Sequence, residues 1–434
     1  MPEDRSPSDK GVFLNWAEEE FAKADLGDRR LNKRLVAIAH AFAGKPNAQV
    51  PQATDRWPEA KAAYRFFDNK KIVVEKILSP HRESTKERLA GKSLVLAVQD
   101  TCTLNYNSHP SAEGLGPVGD TIARGILIHP TVAVSLEGAP LGLLDLQIWT
   151  REKESEEKGQ DNRSLPIEEK ESVKWLKGYQ ATAAIQKELG NVHFVVVCDR
   201  EGDVFELLAE SEREGDDDKT SKPDLLVRAS WDRRVCHPQG YLWALLESQR
   251  PAGELVVQVP RKPGHPTREA TLTIRFARVT VDPPNRIPRR KTFNGKSGPI
   301  TVWAVFAREE SPPEGIQPIS WMLLSSMPVE SFEDAIEKLK WYLLRWTIEL
   351  LFKALKSGCR VEERQLKTLE RLKNCIVLDC IVAWRIMFCT TMGREVPDLP
   401  ASVLFEECEW KALHCYVNKT PEAPKKEPTL GVVV

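Results

Sequence analysis

Leu94-Val95-Leu96-Ala97-Val98-Gln99-Asp100 is a short apolar run that ends on a carboxylate. Its length and composition read as a buried strand. A second run of the same kind, Val192-His193-Phe194-Val195-Val196-Val197-Cys198-Asp199, follows a helical pattern over Glu168 to Leu189. Between the two, Gly125 to Val134 and Leu141 to Gln147 are further strand candidates. The order of three strands, helix and strand predicts an α/β sheet domain. In open α/β sheets ligands gather at the carboxyl ends of strands, which is where Asp100 and Asp199 stand. Taken singly, an aspartate there is more commonly a turn former or helix cap.

Upstream, Trp16 to Leu89 carries apolar residues at three- and four-residue spacing (Leu31, Leu35, Ile38, Ala39, Phe42), the pattern of a small helical module. Gly27-Asp28 precede Arg29, Arg30, Lys33 and Arg34, a basic stripe on the first turns of a helix, for which a solvated face is the ordinary alternative. Tyr64-Arg65-Phe66-Phe67 reads as core rather than as a base-stacking surface. Downstream, the charged loop Gly215-Asp216-Asp217-Asp218 leads to a strand at Asp224 to Ser230. From Trp231 to Val329 the texture is β, with Leu255 to Val259, Thr271 to Val281 and Ile300 to Ala307 as strands of an insertion. Its linkers, Pro260-Arg261-Lys262-Pro263 and Pro283-Pro284 with Arg286 and Pro288-Arg289-Arg290-Lys291, are basic and proline-rich; such loops are solvated and can also track phosphates.

Composition narrows the function classes. The 434 residues predict two or three structural units, and the net charge of -1 gives no bulk attraction for nucleic acid, so any DNA binding must come from local patches. The nine cysteines lack C-x-x-C spacing and read as buried small apolar residues. Met1 to Lys10 is polar and lacks a secretory signal, and the longest apolar stretch, Ile376 to Met392, is interrupted by Asp379 and Arg385. The expectation is a cytoplasmic protein with no membrane partner.

Ser331 and Asp334 form a capping-box pattern, and the helical periodicity predicts a helix running to about Ser357. Tyr342, Arg345, Glu349 and Lys356 on it project within an arc of roughly 60° at about 100° per residue. Leu343, Leu344, Leu350, Leu351 and Leu355 fall on a different arc, expected to face the core. An i, i+4 ion pair between Arg345 and Glu349 on a solvated face is the bland explanation. Further helices are predicted at Gln365 to Met392 and Ala401 to Val417, with a disordered tail from Pro421 to Val434.

The run Tyr342-x-x-Arg345-x-x-x-Glu349-x-x-x-x-x-x-Lys356 resembles the Tyr-Arg-Glu-Lys signature of a family of bacterial insertion-sequence, cut-and-paste transposases with an RNase H-like core. Val98-Gln-Asp100-Thr-Cys-Thr-Leu-Asn-Tyr106 is similar to the family's first aspartate segment, and Val197-Cys-Asp199-Arg-Glu-Gly-Asp203 to its second. Glu169 to Trp175, Ala24 to Arg30 and Ala63 to Phe66 agree in order, so the resemblance covers roughly Trp16 to Leu372.

The resemblance implies an RNase H-like mixed sheet with flanking helices, interrupted by a β-rich insertion, plus N- and C-terminal helical parts. The expected domains are 1–89 (helical, DNA-binding), 90–230 (first part of the core), 231–330 (β insertion), 331–372 (the helix with Glu349) and 373–434 (C-terminal helices). The insertion accounts for the 150 positions between Asp199 and Glu349. Asp100, Asp199 and Glu349 are implied as the catalytic carboxylates holding Mg2+, for which Mn2+ can substitute; hard cations prefer such oxygen ligands, and a pair of them can activate a nucleophile and stabilise a departing 3' oxygen. Arg345 and Lys356 would grip phosphates, Tyr342 would pack or hydrogen-bond there, and Trp321 would stack a displaced base, easing hairpin closure. Arg29, Arg30, Lys33 and Arg34 are the candidate contacts to terminal inverted repeats. Implied partners are double-stranded DNA, as repeat ends and target, and a second subunit in a synaptic homodimer. Family members continue past Pro421 to Pro428 into further helices; the stop at Val434 sets up the expectation of a truncated C-terminus and a rival function, a DNA-end-binding inhibitor.

Overall fold

The computed structural model describes residues 16–119, 123–152, 165–212, 222–259, 266–284 and 298–434. The loops at 215–218, 260–263 and 286–291 discussed above lie outside these residues.

In chain order the helices α1 (Trp16–Glu20), α2 (Arg29–Gly44), α3 (Val50–Ala53), α4 (Trp57–Phe67) and α5 (Val74–Arg88) come first. They are followed by β1 (Leu94–Gln99), β2 (Cys102–Asn105), the short β3 (Gly116–Pro117), β4 (Arg124–Val134) and β5 (Pro140–Trp149). Next come α6 (Val173–Leu189), β6 (His193–Cys198), α7 (Phe205–Ser211), β7 (Asp224–Arg228) and α8 (Leu242–Ser248). Then follow β8 (Gly253–Val259), β9 (Arg268–Val281), β10 (Ile300–Glu309) and β11 (Ser320–Ser325). The chain closes with α9 (Phe332–Leu344), α10 (Thr347–Lys353), α11 (Leu369–Glu395), α12 (Glu407–Asn418) and α13 (Leu430–Val433). Two compact units result: Thr85–Lys353, and Met1–Ser84 together with Ala354–Val434.

The Thr85–Lys353 unit is organised by one sheet. β5 pairs antiparallel with β4, β4 antiparallel with β1, β1 parallel with β6, and β6 parallel with β7. Three antiparallel strands followed by two parallel ones, joined through α6 and α7, make the large mixed sheet of an α/β fold. Parallel neighbours need a crossover, and the helical run after β5 supplies one. β1 and β6 are buried over all but their first residue, and β7 over all but its last, as continuous apolar strands covered on both faces are. Residues 231–330 extend this sheet: β7 pairs with β11, and β10, β9 and β8 follow in order to the far edge.

Packing under the sheet is tight where α6 crosses it. Trp175 and Tyr179 are buried with Phe194 and Val196 in the main core. The Gln99 side chain donates to Trp175 O (3.2 Å) and His129 Nε2 (3.1 Å), and its oxygen accepts from Tyr179 N (3.1 Å). Gly178 leaves room for this amide; a Cβ there would lie 2.6 Å from it.

The second unit is helical and centres on α11. Asp379, which looked like an interruption of an apolar run, is fully buried and paired with Arg364: Nε and Nη2 donate to its two oxygens at 3.0 and 2.6 Å. Arg364 also donates to the carbonyls of Pro46 (3.1 Å) and Ala48, and its guanidinium lies 4.4 Å from the Phe42 ring centroid. α11 is long and apolar enough to cross a membrane by length and composition, but 67% of its most apolar window is buried within the protein, as in a core helix.

Two expectations for this unit are corrected. The tail is ordered: Leu430 is buried, its N–H donates to Leu399 O (2.7 Å), and Gly431 N donates to Pro397 O (2.9 Å), so the chain satisfies carbonyls left over beyond α11. The helix expected at Ala401 to Val417 is instead a 3-10 turn, Ala401–Val403, followed by α12, because Glu406 starts a new helix through a capping box with Glu409.

Candidate active site

The parallel register decides where the two aspartates meet. Val98 pairs with Val197, so Asp100 and Asp199, two residues beyond each, leave adjacent strands at the same level. Adjacent strands run about 4.8 Å apart, and residues in register point to the same face. Asp100 accepts from Thr101 N (2.7 Å), and Asp199 from Glu201 N (2.8 Å). Asp199 thus also caps the 3-10 turn Arg200–Gly202, so the capping alternative is realised alongside its place at the sheet edge.

Arg345 joins the third acid to the first. Its Nη1 donates to Asp100 Oδ2 at 2.8 Å, and its Nη2 stands 3.7 Å from Glu349 Oε1. Burial, then the charge of Asp199 and, more weakly, that of Glu349, push the Asp100 carboxyl up to about 6, against the pull of Thr101 N–H and Arg345. Asp199 is raised as well, by burial first. Burial opposes the charge on Arg345, yet Tyr342, Asp100, Asp199 and Glu349 hold its pKa above the ordinary value. Three carboxylates therefore share one electrostatic environment, and a guanidinium balances it.

Such a donor set suits a hard divalent cation in kind, because its groups are oxygen anions whose mutual repulsion a cation would relieve. As the side chains are placed, however, no group of three or more His, Cys, Asp or Glu residues among the described residues is close enough to hold a metal ion.

The helix carrying Glu349 departs from the expected single element. α9 ends at Leu344, α10 begins at Thr347, and Ala354–Gly358 is a π turn. At the junction hydrogen bonds step back three residues, Arg345 N to Tyr342 O (3.1 Å) and Glu349 N to Trp346 O (3.1 Å). This tightening turns Leu343 and Leu350 out to solvent, whereas Leu351 and Leu355 are buried; the expectation that all these leucines face the core is wrong for the first two. Arg345 and Glu349 still meet. Lys356 belongs to the π turn, where its Nζ is 3.7 Å from Glu362.

Tyr342 is buried and lies against the half-buried Trp321, with ring centroids 6.2 Å apart at 60°. Sequence reasoning missed three neighbours. Trp346, at the junction between Arg345 and Glu349, is 62% exposed. Arg228, at the end of β7, donates to Ser320 O (3.0 Å); burial lowers its pKa, Tyr342 opposes this, and the positive charge of Arg200 adds to it. Asp203, the last residue of the second aspartate segment, is buried against Arg233 rather than facing the acids. The exposed tryptophan had a signal, its place inside the Tyr342 to Glu349 run; the other two had none, since their partners are far apart in the sequence.

In the helical unit Asp28 caps α2 by accepting from Arg30 N (2.8 Å), and Arg29, Arg30 and Lys33 are exposed with Arg34 half-buried. Cations at a helix N-terminus oppose the helix dipole, so the stripe does not serve the helix itself.

Residues 14–72, which contain this stripe, match a family model described as transposase DNA-binding. Residues 381–434 match one described as the transposase Tn5 dimerisation domain. The matches support a transposase family. They also support DNA binding and dimer formation. Among solved structures, the chain is similar to one titled "Cryo-EM structure of piggyBac transposase synaptic complex with hairpin DNA", with 9% identity and a TM-score of 0.38 over 87% of this chain and 72% of that one.

Proposed function

We propose that this chain is a cut-and-paste DNA transposase that cleaves the ends of its element, closes and reopens a hairpin, and joins the ends to target DNA. The observation that carries the reading is the meeting of Asp100 and Asp199 at one sheet edge with Glu349 attached through Arg345. Asp100, Asp199 and Glu349 would hold Mg2+, which when bound supplies Lewis acidity at the scissile phosphate. Arg345, freed from part of its carboxylate contact, is placed to donate to a phosphate oxygen, as a planar guanidinium does bidentately. Trp321, backed by Tyr342, offers a ring on which a displaced base can stack. Arg29, Arg30, Lys33, Arg34 and Lys356, all on the helical unit, supply phosphate contacts that fix position rather than sequence. A second subunit pairs the two ends.

The test is a labelled duplex carrying the element's terminal repeat, incubated with magnesium and either the wild type or Glu349→Ala. Cleavage at the repeat boundary by the wild type alone is expected. Equal cleavage by both removes Glu349 from the chemistry. Binding without cleavage by either supports the end-binding inhibitor instead.

A further inference from the structure

β7 ends at Arg228, and the next residues form a loop fixed with unusual care. Asp203 Oδ2 accepts from both Ser230 N (2.7 Å) and Trp231 N (3.0 Å). Arg233 Nε donates to Asp203 Oδ1 (3.0 Å) and its Nη2 to Asp203 O (2.8 Å), both side chains being buried. On the other side Asp232 Oδ1 accepts from Trp243 N (3.0 Å), which ties the loop to the start of α8. A buried ion pair is weak evidence for stability, since desolvation offsets most of its attraction. What this one achieves is a rigid backbone around a single residue, and the Trp231 side chain on it is 66% exposed.

The position of that indole is informative. Cys198 pairs with Val227, so the parallel register sets Arg228 beside Asp199, and Trp231 stands three residues beyond Arg228 with its N–H on Asp203, four residues beyond Asp199. Arg200 and Arg228 are close enough to feel each other's charge. An exposed aromatic ring with guanidinium groups along one edge is the combination that binds unpaired nucleic-acid strands, the ring stacking on a base and the cations tracking the backbone. Trp321 differs from it, being half-buried with Tyr342 against its ring.

We propose that Trp231 is a second stacking platform, which holds an unpaired base of the DNA end whose phosphate lies at Asp100, Asp199 and Glu349. This rests on the transposase reading. Pinning the loop before DNA arrives removes the ordering cost that a mobile tryptophan would incur on binding.

The experiment uses the full chain in EDTA, so that no cleavage intervenes, and follows anisotropy of two fluorescein-labelled duplexes, one fully paired and one with a few unpaired bases at its end. Trp231→Ala should bind the frayed duplex about tenfold more weakly and the paired duplex within about twofold of wild type. Trp231→Phe, which keeps a ring, should retain most of the affinity. Equal loss on both duplexes, no loss on either, or equal loss in the Ala and Phe variants would overturn the proposal while leaving the transposase reading in place. Failure of the wild type to bind either duplex would overturn both. Coincident melting of wild type and variants by circular dichroism is the expected folding control, since the ring buries little.

Discussion

Arg345 touches two of the three carboxylates, and its charge sets how much negative potential the sheet edge presents. Lysine carries the same charge as a single point and cannot span Asp100 and Glu349 with a planar fork. Arg345→Lys is therefore expected to slow end cleavage by about tenfold to a hundredfold, the equivalent of one charge-assisted hydrogen bond, with little change in DNA affinity. Single-turnover cleavage beside anisotropy would show the split. His129 offers a prediction about stability. It is fully buried, and desolvation followed by the charge of Lys174 lowers its pKa to about 3. Its Nε2 accepts from Gln99, so the proton sits on Nδ1, 3.0 Å from Thr101 Oγ1. Above the unfolded value of about 6.5 both states are neutral and the residue contributes nothing. As pH falls below that, only the unfolded chain takes up a proton, and stability should drop by up to about 1.4 kcal/mol per pH unit until the folded pKa is reached. Urea unfolding from pH 7 to pH 5 should show a shallower decline in His129→Gln than in wild type. At this scale the strand-end places of Asp100 and Asp199 and the shared helical face of Arg345 and Glu349 were legible from spacing, while the part assigned to them came from the resemblance alone. Asp203 with Arg233 was not, because a pair separated by a helix and a strand leaves no periodic trace.

The elements were legible where burial is continuous. β1, β6 and β7 are apolar runs in the sequence and buried strands in the fold. The break between α9 and α10 was not, since no glycine or proline lies between Phe332 and Ser357 to announce it. It arises because Tyr342, Thr347 and Ile348 are all buried while Trp346 between them is not, a sequence of environments that one regular helix does not provide. The start of α9 was legible: Ser331 Oγ accepts from Asp334 N (3.1 Å), and Asp334 accepts from Ser331 N (3.0 Å). Ser331→Ala should cost about 1 kcal/mol, measured by chemical denaturation. Gly178→Ala should cost more, about 1 to 3 kcal/mol, because the added methyl group would collide with the Gln99 amide that joins β1 to α6. An unchanged denaturation midpoint would mean that this amide moves aside freely.

At the scale of the whole molecule, the helical unit is assembled from both ends of the chain, and no local pattern could reveal that. Arg364 is the residue that makes it legible afterwards, since it binds the Pro46 and Ala48 carbonyls as well as Asp379. Asp379→Ala leaves a buried guanidinium without its counter-charge and should destabilise the helical unit by about 3 to 5 kcal/mol. Replacing both partners with apolar residues of similar volume, as in Arg364→Met with Asp379→Leu, should recover much of that loss; helical circular dichroism during unfolding checks both.

That arrangement fixes an order of events on the ribosome. At about 5 to 20 residues per second, the roughly 270 residues of Thr85–Lys353 occupy about 13 to 54 s of synthesis, during which the N-terminal helices have emerged and α11 does not yet exist. Phe42, Phe66 and Phe67 wait that long for the helical unit to be completed, exposed to chaperones and proteases. A nascent chain arrested before Ala354 should accordingly lose its first helices to limited proteolysis while its sheet survives. A chain built this way completes its helical unit only after the whole sheet has been made, so translation itself delays the assembly of the module that carries Arg29, Arg30, Lys33 and Arg34.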